Sequence, residues 1–343
     1  MSGNRHLSFD DLHHLVANVL AQGGLSPAHA DAVARVIAKA ERDQCRSHGI
    51  YRIAGVLKTL RGGIADGHVE PDIDNPADKP LLKIHAHGGF SPLAFERGAP
   101  LLAEKARRFG IAAMAINDCV HFSALWPEVE MLADFGVAAL AMCPSNAYVA
   151  PAGGIAKLLG TNPLAFAWPA TQGQPYVFDF ATSVAARGEV ELHRLDGRPL
   201  PDGWGIDPQG QPTNEPAAAL AGALLTFGGY KGSAIATMIE ILAGVWIGDL
   251  LSMESSALDD GRLLAPRHGE LVIAFDPHAF AARNPAAHTH KLLAAFAAQG
   301  ARLPSQRRHA AREISERSGI AVSHENLARL ERMRRGDFSV ELH

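Results

Sequence analysis

Apolar positions recur at helical spacing over the first sixty residues, then switch to alternation and to short continuous runs. Leu12, Leu15, Val16, Val19 and Leu20 form one stripe behind Ser8, with Asp11 as a short-armed capping box and Gly23-Gly24 as the stop. Ser26-Pro27 opens a second helix whose inner face carries Ala32, Val33, Val36, Ile37 and Ala40. A third turns Ile50, Ile53, Leu57 and Leu60 inward and ends at Gly62-Gly63. From about residue 82 the period changes, and Leu82 to His87 alternates like a half-buried strand. Leu93 to Phe109 reads as a helix interrupted by Gly98 and Pro100, and Ile111 to Ile116 as a strand buried on both faces. A helix from about Ala124 to Phe135 then precedes strands at Val137–Met142, Leu164–Trp168 and Tyr176–Phe180. Residues 208–216 read as a surface loop, Ala234 to Ile247 as an apolar helix and Glu270 to Phe275 as a strand. Amphipathic helices near Leu292–Ala298 and Glu325–Arg334 close the chain. The pattern predicts an α/β protein with a helical N-terminal lobe.

Composition narrows the class. The 343 residues suffice for one large domain or two lobes, and 47% apolar with 20% charged residues excludes disorder as the dominant state. A net charge of −4 argues against a nucleic-acid surface spread over the whole protein. Cys45, Cys119 and Cys143 form neither a CxxC pair nor a disulfide framework, which suits a reducing cytoplasm. The start, MSGNRHLSFDD, turns polar before any apolar run, and no stretch reaches bilayer-spanning length. A soluble cytoplasmic protein is expected, without membrane or nucleic-acid partners.

The densest chemistry lies in Ser47-His48-Gly49-Ile50-Tyr51-Arg52, where one predicted helix gives way to the next. If the chain is helical from Gly49, Arg52 stands about one turn beyond His48 on the same face. A carboxylate gripped by Arg52 then presents its neighbouring atoms to His48 for proton transfer. Spacing alone favours the plainer reading, Ser47 as a helix cap and His48 as a surface imidazole. A second polar turn, Asn117 to Trp126, follows the strand ending at Ile116, where α/β proteins place ligand sites. Phe227-Gly228-Gly229-Tyr230-Lys231-Gly232 opens a helix and would expose backbone N–H groups to a phosphate, or serve only as a helix-entry turn. Neither GxxxxGK[ST] nor GxGxxG occurs, so an ordinary Rossmann site is not supported. Arg302, Arg307 and Arg308 suit an extra phosphate or a solvated surface. His85 and His87 share a strand face without a third ligand at a recognisable spacing, and no metal site is read from the sequence.

SHGIYR, HFSALWPEVE, GTNPLAF, FDFATS and FGGYKGS, in this order, resemble the malate/L-lactate dehydrogenase family, whose members use NAD(P)H without a Rossmann domain. HFSALWPEVE and RLPSQRR resemble its Δ1-piperideine-2-carboxylate/Δ1-pyrroline-2-carboxylate reductase branch, which makes L-pipecolate and L-proline. The resemblance implies a homodimer built on a three-layer fold, a mixed seven-stranded sheet between helices. It implies a relay of Ser47, His48 and Glu189, where relatives are expected to carry aspartate in place of Glu189. It places the grip on the substrate carboxylate at Arg52 and a further substrate contact at Thr161. Cofactor contacts are implied at His121, Phe122, Ser123, Ala124 and Leu125, and at Asp179, Phe180 and Ala181. Others are implied at Tyr230 and Lys231, and along Arg302, Leu303, Pro304, Ser305, Gln306, Arg307 and Arg308. Tyr230 stands where GGHKG would place a histidine, so NADPH over NADH rests on Lys231 and the arginines.

The expected activity is NADPH-dependent reduction of a cyclic imino acid. Its rivals are a 2-hydroxy-acid or ureidoglycolate dehydrogenase of the same family, a metal-dependent hydrolase using the 17 histidines, and a non-catalytic binding protein. The expected division is a scaffold lobe of 1–120 with 276–343, and a cofactor-binding domain of 121–275.

Overall fold

Strand β1 (Asn4–Leu7) leads into helices α1 (Phe9–Gln22) and α2 (Pro27–Arg42) in the computed structural model, which describes residues 3–170, 173–280, 284–340 and 342. Both caps are those the sequence predicts: Ser8 accepts from the Asp11 amide and Ser26 from the His29 amide. The next segment departs from expectation. Two 3-10 turns, Arg46–His48 and Ile50–Arg52, precede α3 (Ile53–Arg61), so no single helix runs from Gly49. The Glu41 carboxylate explains the break. It accepts the Ile50 N–H at 2.8 Å and fills the space that a Cβ on Gly49 would need.

Strands β2 (Asp72–Asp74) and β3 (Leu81–His85) follow, then α4 (Ser91–Phe109) and β4 (Ile111–Val120). α4 runs unbroken through Gly98 and Pro100. A side chain at 98 would strike Met114 and Ile84, so glycine is what lets this helix lie against the sheet. The Asn117–Val120 stretch, read as a turn, is the end of β4. Glu270 to Phe275 extends likewise to a nine-residue strand. The added residues pair with each other, Val120 with Arg267 and Cys119 with His268, across some 150 residues of chain, and residues 117–120 also bond to residues 86–90.

α5 (Trp126–Asp134), β5 (Ala138–Met142), β6 (Leu164–Trp168) and β7 (Tyr176–Phe180) continue the core. An excursion holds α6 (Arg187–Leu195), β8 (Gly205–Ile206), β9 (Pro212–Thr213), α7 (Pro216–Ala221) and β10 (Ala223–Leu224). Next come α8 (Tyr230–Glu240), which continues as a π-helical stretch Ile241–Trp246, α9 (Ser252–Asp259) and β11 (Arg267–Phe275). The chain ends in α10 (Pro285–Ala298), α11 (Gln306–Ser318), β12 (Ile320–Ser323) and α12 (His324–Arg334).

The main sheet has seven strands in the order β2-β3-β4-β11-β5-β6-β7, and only β3 and β4 run parallel. It takes strands from both sides of residue 120. Alternate residues of β11 serve opposite faces: Val272 packs under α4 and α5, Leu271 under α8 and its π-helical extension. This is the expected three-layer arrangement. Full burial of side chains such as Ile84 and Met114 contributes roughly 1.5–3 kcal/mol each. A second core joins α1, α2, α3 and α12, closed by the antiparallel β1–β12 pair. The N-terminal helical lobe is thus sealed by the end of the chain.

Candidate active site

The 3-10 turns after α2 hold His48 half-buried, with Ser47 Oγ 3.1 Å from its Nδ1. Its ring meets Trp126 edge-on at 6.0 Å. Burial, and then the charge of Arg52, push the imidazole down to about 3, so it is neutral at ordinary pH. The Arg52 guanidinium lies 5.1 Å over the Phe122 ring. Tyr148 and Arg187 also act on its charge, and Arg187 sits 5.0 Å over the Tyr148 ring. The imidazole and the guanidinium therefore face the 121–126 segment, and Tyr148 and Arg187 add polar groups near Arg52.

That segment is anchored in turn to the other motifs. The Trp126 amide donates to Asp179 Oδ2 at 3.0 Å at the end of β7. Burial raises the Asp179 carboxyl to about 6, against the pull of the Trp126 amide, Arg308 and the Leu125 amide. Phe180 meets Phe227 edge-on at 5.7 Å, and the Phe227 amide donates to Thr182 O at 3.0 Å. Thr182 donates from its amide to Thr161 O at 2.9 Å, and Thr161 Oγ1 lies 3.3 Å from Ser145 Oγ. Ser305 donates to Val177 O at 2.6 Å, while Arg308 lies 4.8 Å over the Trp126 ring. Five stretches of sequence converge around β7.

Individual side chains differ in where they point. Phe122, Ala124 and Leu125 are buried, Ser123 and Ala181 partly so, and Phe180 is exposed. Tyr230 is 72% exposed beside an exposed Lys231 that has no ion-pair partner among the described residues. Arg302, Pro304, Gln306 and Arg307 are exposed and Leu303 half-buried. Arg308 departs from the surface role considered for it. It turns inward to Glu130, 3.9 Å away, and donates to Ser305.

Glu189 is not brought to His48. Its carboxylate is exposed and has no hydrogen-bond or ion-pair partner among the described residues. The cause is helical geometry: Arg187 takes the inward side of α6, and Glu189 lies two residues, about 200°, round the helix. His121 also points elsewhere than a surface groove. Its buried ring stacks on His268 at 5.5 Å, with Nε2 3.7 Å from Glu270 Oε2. Burial raises Glu270 to about 7, and burial together with Glu270 raises Glu128 well above the ordinary carboxylate range.

The profile of the malate/L-lactate dehydrogenase family matches residues 7–331. The chain belongs to this family. Like other family members it is an oxidoreductase that depends on a nicotinamide cofactor. Among its relatives, the Δ1-pyrroline-2-carboxylate reductase of Pseudomonas fluorescens is 54% identical over 319 residues, covering 92% of this chain and 95% of the relative. The Δ1-pyrroline-2-carboxylate/Δ1-piperideine-2-carboxylate reductase of Pseudomonas aeruginosa is 52% identical over 319 residues, again 92% and 95%. The crystal structure of Δ1-piperideine-2-carboxylate reductase from Pseudomonas syringae pv. tomato superposes with a TM-score of 0.93 at 39% identity, covering 96% of this chain and 99% of that one.

A malate/L-lactate dehydrogenase family member without GxGxxG must hold its dinucleotide by other means, and the residues present fit that task. Gly228 and Gly229 have φ of 57° and 61°. A Cβ on Gly229 would meet nothing, and one on Gly228 only the Lys231 Cβ at 3.9 Å. The backbone at the start of α8 therefore stays open to a phosphate, with Lys231 beside it. Sequence reasoning did not single out Tyr148 and Arg187. Arg187 follows FDFATS by a few residues, and that adjacency was the one signal for it.

Proposed function

We propose that the protein reduces the C=N bond of Δ1-pyrroline-2-carboxylate or Δ1-piperideine-2-carboxylate, giving L-proline or L-pipecolate, with NADPH as the electron donor. One observation carries the reading: Arg52 and His48 both pack on the Phe122–Trp126 segment, with Arg52 over Phe122 and His48 against Trp126. The names of the relatives supply the substrate class. When bound, the reduced nicotinamide supplies a hydride to the imine carbon.

The chain's own residues do the rest. Arg52 grips the substrate carboxylate by a forked pair of hydrogen bonds, and Thr161 adds a polar contact. Phe122 and Trp126 give the carbon ring an apolar wall that excludes water. His48, kept neutral, has one nitrogen turned to Ser47 and the other available to manage the proton on the ring nitrogen of the imine. Glu189 takes no part in this arrangement. Residues 122–125, 179–181 and 230–231 hold the dinucleotide, the buried His121 ring taking no part, and Lys231 with Arg302 and Arg307 favours the phosphorylated form. The 121–275 region thus carries most cofactor contacts, while 1–120 with 276–343 supplies the substrate side and the scaffold.

We further propose a cytoplasmic homodimer, whose second copy covers the exposed Met238, Ile241, Val245 and Trp246. No described helix is long and apolar enough to cross a membrane.

The deciding experiment follows NADPH and NADH oxidation with the two imines, pyruvate and oxaloacetate side by side. The expected result is the highest kcat/KM on an imine with NADPH. A clear preference for a 2-oxo acid would move the protein to the 2-hydroxy-acid dehydrogenase reading.

A further inference from the structure

The strand order sets the ends of β4 and β5 and the start of β11 at one edge of the sheet. Arg267 pairs with Val120 and Leu271 with Met142. His121, Cys143, His268 and Glu270 are therefore gathered from chain positions up to 149 residues apart. A register shift between His268 and Glu270 marks the spot, as bulges do where a strand re-aims its side chains. α5 adds Glu128 from above. The metal-capable atoms form two triads, His121–Cys143–His268 and His121–Glu128–Glu270, each with its atoms within 4.8 Å of one another.

These groups are buried, and few of them have partners outside the cluster. His268 and Glu270 are fully buried, Glu128 is 3% exposed and His121 7%. Nε2 of both histidines has no hydrogen-bond partner, and the Glu128 and Glu270 carboxyls interact chiefly with each other. Burying polar atoms with so few partners costs several kcal/mol unless something occupies the space between them. His268 supplies a second clue. Its Nδ1 lies 2.8 Å from the Gly269 carbonyl, which places the proton on Nδ1 and leaves a lone pair on Nε2. Metal-bound histidines are held in this way, the outer nitrogen on a carbonyl and the inner one free for the ion.

We propose that His121, His268, Cys143 and Glu270 form a site for one divalent transition-metal ion of the zinc class. Two imidazoles, a thiolate and a carboxylate are the donor set such borderline ions prefer, and the two anionic ligands neutralise a doubly charged ion in this buried place. Bonds of about 2.0–2.3 Å at tetrahedral angles put ligand atoms about 3.3–3.8 Å apart. The 3.7 Å from His121 Nε2 to Glu270 Oε2 already meets that, the pairs within His121–Cys143–His268 close by up to about an ångström, and Glu270, which shares no triad with Cys143 or His268, swings towards them. Glu128 then bonds to the outer oxygen of Glu270. Cys119, though close, is no ligand, since its Sγ already donates to His268 O at 3.1 Å. Binding releases the Cys143 proton to solvent, and the ion clips β4, β11 and β5 together.

The test is metal analysis of the full chain purified without chelators, followed by cobalt(II) titration of chelator-treated protein. The expected result is about one ion per chain, with a thiolate-to-cobalt charge-transfer band in the near ultraviolet. Cys143→Ser should abolish that band while Cys119→Ser keeps it, and His268→Gln should weaken binding at least tenfold. Circular dichroism confirms that each variant is folded, and chelation of wild-type protein should lower its Tm. The site does not exist if the wild-type chain takes up no stoichiometric zinc or cobalt, or if the cobalt band survives Cys143→Ser unchanged. None of these readouts depends on which substrate the enzyme reduces.

Discussion

The Trp126 amide donates to Asp179 at 3.0 Å, and the same tryptophan carries His48 against its edge and Arg308 over its ring. One residue thus connects the Ser47–Arg52 turns to the end of β7 and to the C-terminal helices. Removing the acceptor should disorganise these connections. Asp179→Ala leaves the Trp126 amide without its acceptor, a loss of about 1–3 kcal/mol. The KM for NADPH should rise in a steady-state assay, and Asp179→Asn, which keeps an acceptor oxygen, should recover most of it. Equal damage from both changes would mean that the charge matters and not the hydrogen bond.

Arg52 and His48 should separate kinetically. Arg52→Ala forfeits a charge-assisted grip of about 1.5–3 kcal/mol and should raise the imine KM some ten- to hundredfold. His48→Ala should instead lower kcat by about 10²–10⁴-fold, with little change in KM. Glu189→Ala, an exposed change, should leave kcat within about twofold. A collapse of kcat in that variant would show that α6 rearranges to complete the relay.

His48 should not titrate near neutrality. Its imidazole is held down to about 3, chiefly by burial, so it stays neutral in the folded free enzyme. Because the folded value lies below the unfolded one, its contribution to stability is complete above about pH 6.5 and falls away as the pH drops below that. The NMR signal of the His48 ring should be flat from about pH 5 to pH 8. An inflection between pH 6 and 7 would contradict the burial argument.

Arg312 joins the C-terminal helices to the N-terminal lobe. It donates to Asp43 at 3.0 Å and to Glu130 at 2.8 Å, and all three side chains are buried. Burial alone would raise Asp43, but Arg312 and Arg42 outweigh it and hold the carboxyl below its ordinary value of 3.8. The stability this contributes is present above that value and is lost as the pH falls through the depressed one. Arg312→Ala leaves Asp43 with Arg42 alone and Glu130 with no partner nearer than 3.9 Å, and should cost about 3–5 kcal/mol in urea unfolding. A change under about 1 kcal/mol would show that water reaches the pair.

Cofactor choice should rest on exposed cations. Replacing Arg302 and Arg307 together with alanine should raise the KM for NADPH while leaving that for NADH nearly unchanged. The same rise for both cofactors would assign the two arginines to the shared part of the dinucleotide.

Local chemistry made much of this protein legible. The caps at Ser8 and Ser26, the stripe of Leu12, Val16, Val19 and Leu20, and the strands Leu164–Trp168 and Tyr176–Phe180 are where their residues place them. Such features depend on neighbours within a turn or two of backbone. The motifs that carry the family were legible for the same reason, as unbroken runs of sequence.

Other features needed distant partners. Gly49 ends a helix because Glu41 reaches across to it, and Gly98 continues one because the sheet accepts no side chain there. Arg187 rather than Glu189 faces the Arg52 side because of how α6 is turned. His121, Cys143, His268 and Glu270 meet only because β11 inserts between β4 and β5, an order that no spacing along the chain encodes. Periodicity tells which side of an element is apolar; which elements then lie side by side is decided by packing the whole core at once.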